Sequence, residues 1–144
     1  MNIKNFFNKD QKEQIIQAIK DAERMTSGEI RIHLESHCKG ETLQRAIHWF
    51  NKLKMHKTQL RNATIIYLAV NDHKFAIYGD EGINKVVPDN FWGDVKDEMS
   101  AYFIKNQFAE GIITGVKRVG EKLREFFPYH KDDIDELSNE ISTG

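Results

Sequence analysis

The stretch Thr64-Ile65-Ile66-Tyr67-Leu68-Ala69-Val70 constrains this chain more than any other, because it is almost continuously apolar and rich in β-branched residues. Successive side chains of a strand point to opposite faces, so a strand that is apolar throughout needs cover on both sides. Packed helices supply such cover. The flanking sequence carries the helical period to form them.

Asn8 followed by Gln11 has the form of a capping box, and Ile15, Ile16, Ile19 and Ala22 then recur at helical spacing. This predicts a first helix from about Lys9 to Met25, ended by Thr26-Ser27-Gly28. Ile30, Ile32 and Leu34 alternate with Glu29, Arg31 and His33, the period of a strand with one buried face. A second helix is expected from about Glu41 to Lys57, with Leu43, Ala46, Ile47, Phe50 and Leu53 on one side. After the central strand, Asn71 to Lys74 turns the chain and Phe75 to Tyr78 returns as a hairpin partner. Pro88-Asp89 introduces a helix carrying Phe91, Trp92, Val95, Met99 and Phe103, and residues 108–127 form a last long helix. Gly111, Gly115 and Gly120 fall inside it, which indicates either close approach of a neighbouring backbone or a weak stretch of helix. The expected fold is a single α/β domain over residues 1–144. It is a three-layer α/β/α sandwich with a small mixed sheet of about four strands and helices on both faces.

Charge narrows the function. With 21 basic and 22 acidic residues there is no basic excess and no arginine or lysine stripe interleaved with aromatics, which argues against nucleic acid as a partner. No segment approaches the roughly 18 apolar residues needed to span a bilayer. Met1 to Phe7 lacks the apolar run of a signal peptide, so a soluble, cytoplasmic chain is expected. The single cysteine permits no intramolecular disulfide, and Cys38 reads as a free thiol in a loop despite His33 and His37 nearby. Those two histidines leave a strand without a common centre, so a zinc site is not expected.

The carboxylates are the chemically distinctive residues. Asp132-Asp133-Ile134-Asp135-Glu136 is a dense acidic cluster, and Gly79-Asp80-Glu81-Gly82-Ile83-Asn84 is an acidic turn flanked by glycine. Carboxylates this close repel one another unless water or a cation neutralises them. Calcium takes six to eight oxygens, typically at about 2.3–2.6 Å. Asp80, Asp132, Asp133, Asp135 and Glu136 would supply five carboxylates to one or two Ca²⁺ ions, with Glu81, Asn84 and Glu35 as further oxygen donors. The spacing is not that of an EF-hand. If the two acidic segments do not meet, they are solvated loops. Phe91-Trp92, Tyr102, Phe103 and Phe126-Phe127 leave open a metal-independent protein-interaction module, although aromatics at this spacing more often form core.

Several segments together resemble the TPM domain family, which includes thylakoid lumen phosphatase-like proteins and related bacterial domains. They are Ser27-Gly28-Glu29-Ile30-Arg31, Thr58-Gln59-Leu60-Arg61-Asn62, Lys74 to Asn84, Val87-Pro88, Phe91-Trp92, Phe108 to Ile112 and Asp135-Glu136-Leu137. The chain departs from the family pattern at Ala63, where glycine is usual, and at Ser138, where proline is usual; Asp135 adds a carboxylate. The resemblance implies an α/β/α domain with either divalent-cation binding or a metal-dependent acid phosphatase activity on phosphate monoesters, with Arg61 as a phosphate clamp. No Cys-x5-Arg, Walker or Asp-x-Asp motif accompanies it.

Overall fold

A computed structural model describes residues 3–129 and 138–144. Four strands form one mixed sheet: β1 (Glu29–Glu35), β2 (Ala63–Ala69), β3 (Lys74–Gly79) and β4 (Ser142–Thr143). Their order is β3-β2-β1-β4. β1 runs parallel to β2, with Glu29 opposite Ala63 and Glu35 opposite Ala69. β2 and β3 form the expected antiparallel hairpin, and β4 joins β1 in parallel beside His33 and Leu34. Two polar residues carry no strand signal of their own, so β4 exists only because the edge of β1 accepts it.

Every residue of β2 is buried. Its alternation explains why. Ile66 and Leu68 join Ile30, Ile32, Leu34 and Ile77 in one core, while Ala63, Ile65, Tyr67 and Ala69 face the other side. The first core is closed by α1 (Lys9–Glu23), α4 (Gly93–Ile104) and α5 (Phe108–Phe126). The second is closed by Ala46 and Phe50 of α2 (Thr42–Lys52), with Met55 from a 3-10 turn beyond it. The three layers follow directly.

Asn8 and Gln11 form the reciprocal capping box of α1, with Gln11 N donating to Asn8 Oδ1 (2.8 Å) and Asn8 N to Gln11 Oε1 (3.0 Å). α2 stops at Lys52, short of the expected Lys57, because Lys54 adopts a left-handed backbone (φ 58°) and the chain re-forms as a 3-10 turn over Met55–Lys57. α4 starts only at Gly93; Phe91 and Trp92 lie in the turns that precede it. The glycines of α5 mark close approach, but mainly to side chains rather than to a backbone. A Cβ at Gly111 would lie 2.4 Å from Phe103 Cε1, one at Gly115 2.5 Å from Met99 Sδ, and one at Gly120 2.7 Å from Ala22 Cβ.

Candidate functional site

Asp80 directly follows β3 and caps a single helical turn, α3 (Glu81–Asn84), accepting from Glu81 N at 2.8 Å. It is 1% exposed. A buried carboxylate needs a counter-charge, and Arg61 provides it. Arg61 Nε donates to Asp80 Oδ2 (2.6 Å) and Nη2 to Oδ1 (2.9 Å), while Nη1 reaches Glu81 Oε1 at 3.1 Å. Asp80 thereby holds the Arg61 guanidinium above its ordinary pKa. The backbone is shaped for this pair. Arg61 lies in the left-handed region (φ 53°), and its carbonyl accepts from Gly82 N at 2.9 Å. A Cβ at Gly82 would sit 2.2 Å from Leu60 O, so only glycine fits.

Asp80 also marks one end of the sheet. Its N–H donates to Ala63 O (3.0 Å), and Ala63 stands opposite Glu29, the first residue of β1. Beside them, Asn62 Nδ2 donates to Ser27 Oγ (3.3 Å), and Ser27 N donates to the carbonyl of Phe127 (2.9 Å) just beyond α5. Thr26 Oγ1 donates to the same carbonyl, and Thr26 forms an isolated antiparallel bridge with Pro128. A chain of polar contacts therefore runs across this end from Asp80 to Phe127. Asp132, Asp133, Asp135 and Glu136 lie outside the described residues. Among the described residues, no three His, Cys, Asp or Glu side chains converge as ligands for a metal.

Glu35 is not a further donor to the Asp80 site. It closes β1 at the opposite end, six residues beyond Glu29 and so roughly 20 Å away. There it accepts from Arg45 Nε (2.8 Å) and Tyr67 Oη (2.6 Å) through Oε1, and from Arg45 Nη2 (2.6 Å) and Trp49 Nε1 (3.1 Å) through Oε2. Burial pushes its carboxyl up, but these donors outweigh burial and hold it below the usual carboxylate range. Burial first, then the bond to Glu35, pushes the Tyr67 phenol up. Beside them, His33 is fully buried and stacks on Trp49, ring centroids 4.1 Å apart. His33 Nδ1 shares a 2.7 Å hydrogen bond with Ser142 Oγ, which also lies 3.2 Å from Ile32 O. Among the described residues Nε2 has no hydrogen-bond partner. Burial lowers the His33 pKa to about 4.

This second cluster was missed by sequence reasoning, which had only the alternation of Arg31, His33 and Glu35 along β1 to work from. His37 turns instead to Asp72 (2.9 Å), whose other oxygen accepts from Cys38 N (2.6 Å). Cys38 Sγ is a free thiol, 3.5 Å from Gly40 O.

The family model of the TPM domain matches residues 2–122. The chain belongs to the TPM domain family. That match spans most of the TPM domain described above, including Arg61 and the Asp80 turn, and ends before the acidic stretch at 132–136. The TPM domain is 44% identical to the BA42 protein from the psychrophilic bacterium Bizionia argentinensis. It matches that NMR structure with a TM-score of 0.92, over 99% of this chain and 99% of that chain. Two more distant solution structures share its fold. The N-terminal domain of a P. gingivalis protein is 18% identical, with a TM-score of 0.70 over 86% of this chain and 82% of that chain. The N-terminal domain of the cg2496 protein from Corynebacterium glutamicum is 14% identical, with a TM-score of 0.66 over 81% and 74%. No protein of curated function matches the chain.

Proposed function

We propose that this TPM domain binds a divalent cation, calcium, at the sheet end that carries Asp80. Asp80, Asp132, Asp133, Asp135 and Glu136 supply carboxylate oxygens to one or two ions. The observation that carries this reading is the position of the chain just before the acidic stretch. Phe127 and Pro128 are tied to Thr26 and Ser27, which share a sheet end with Asp80. Only three residues separate Pro128 from Asp132.

The donor set suits a hard cation that prefers oxygen ligands. Asp80 and Glu81 alone are too few for calcium, so the acidic stretch supplies the remaining ligands. Arg61 pairs with both Asp80 and Glu81, leaving one negative charge over, and a cation at Asp80 competes with it for the same oxygens. An ion that joins the Asp80 turn to the acidic stretch orders both, which suits a regulatory or scaffolding role better than catalysis.

Calorimetric titration of chelator-treated protein with Ca²⁺, repeated with Mg²⁺, tests the proposal. Saturable binding at roughly 10⁻⁷–10⁻⁵ M is expected for a sensor-type site. Asp133→Asn with Asp135→Asn should weaken binding strongly while the circular dichroism spectrum stays unchanged. The proposal fails if neither ion gives a binding isotherm.

A further inference from the structure

On the face of the sheet opposite α2, a half-open groove of about 310 Å³ lies between the start of α1 and the β1–β4 edge. Its size is at the lower end of the range for small-ligand sites. Phe7, Ile16, Leu34 and Ile141 give it apolar walls, of which Phe7, Leu34 and Ile141 are continuous with the larger core. Its polar rim carries Lys4, Lys12 and Glu140. Burial lowers the pKa of the Arg31 guanidinium and the nearby Glu140 charge opposes that shift, while Lys4 has an interaction of its own. The Lys12 ammonium takes part in no ion pair or hydrogen bond among the described residues, although it lines an apolar groove. An apolar channel with one uncompensated ammonium at its rim is complementary to a ligand with an aliphatic tail and a single negative head.

We propose that this groove binds an unbranched aliphatic monocarboxylate of medium length. The carboxylate sits at Lys12 Nζ and the chain lies along Phe7, Ile16, Leu34 and Ile141. The site is separate from the cation site at Asp80 and does not depend on it. A half-exposed ion pair contributes little, so removing the ammonium weakens binding only about 2- to 5-fold. Most of the affinity comes from the tail, at about fourfold per buried methylene. Ile141 and Thr143 flank or belong to β4 and also line the groove, so a bound chain packs against the edge strand.

Chelator-treated protein is titrated with hexanoate, octanoate, octanol and octylamine and followed by amide chemical shifts. Metal-free conditions separate the result from the fate of the calcium proposal. Octanoate is expected to perturb Leu34 and Thr143 saturably, to bind more tightly than hexanoate by the per-methylene factor, and to outcompete octanol and octylamine. Ile16→Trp should fill the groove and abolish the shifts. Lys12→Glu, at a rim position that leaves the core intact, should reverse the preference to octylamine. Equal binding of all three eight-carbon compounds overturns the proposal. So do shifts that map away from the groove, or a Lys12→Glu protein that still prefers octanoate.

Discussion

Arg61 grips both carboxylate oxygens of Asp80, at 2.6 Å and 2.9 Å, across nineteen residues of sequence. The pair joins the loop before β2 to the turn after β3, and Gly82 seals it by bonding to the Arg61 carbonyl. A bidentate guanidinium–carboxylate fork specifies geometry as well as charge. It therefore fixes where the Asp80 turn sits at the sheet end proposed for the cation.

Arg61→Ala should lower the melting temperature of the metal-free protein, because Asp80 stays buried without its counter-charge. Arg61→Lys should recover only part of the loss, since an ammonium cannot form the fork. If a cation shares Asp80, Ca²⁺ should raise the melting temperature of Arg61→Ala more than that of the parent. Thermal melts with chelator and with calcium check all three outcomes.

His33 predicts a specific pH dependence. Its folded pKa is lowered to about 4 from 6.5 by burial, with Arg31, Arg45 and His48 also opposing a charge and Glu35 favouring one. Between those values the unfolded chain binds the proton and the folded chain does not. The stability His33 contributes is therefore complete above pH 6.5 and is lost as pH falls toward 4, by up to about 3 kcal/mol. Glu35, also depressed in the fold, adds its loss only at lower pH, in the carboxylate range. Urea unfolding at pH 7.0, 5.5 and 4.5 should show the decline, and His33→Gln should flatten it.

Tyr67→Phe removes one donor from a buried carboxylate without changing the packing of the ring. The hydroxyl donates to Glu35 at 2.6 Å in a fully buried setting. A hydrogen bond to a charged group contributes about 1.5–3 kcal/mol, and a loss of that size is expected in urea unfolding.

Gly120→Ala and Gly111→Ala should differ despite sharing a helix. Alanine gains roughly 1 kcal/mol of helix propensity at either position. At Gly120 the new Cβ meets Ala22 Cβ at 2.7 Å and Ala22 Cα at 3.2 Å, atoms that move only with α1. A net loss of about 1–3 kcal/mol is expected there. At Gly111 the obstacle is the partly exposed ring of Phe103, which can turn away, so the change should be closer to neutral. Paired denaturation curves decide this.

Local pattern made much of the fold legible. An apolar run at β2 demands cover on both faces, the Asn8–Gln11 box starts α1, and a 3.6-residue period marks α5. Each signal is complete within one segment, so the sequence alone determined the layers, most of the helices and the β2–β3 hairpin. Only the tertiary structure decided how separate segments meet. It recruited Ser142 and Thr143 as an edge strand, paired Arg61 with Asp80, and sent Glu35 to the end of the sheet away from Asp80. Strand order and direction set these relationships. They bring together residues far apart in the chain through hydrogen bonds and charge pairs that no local periodicity encodes.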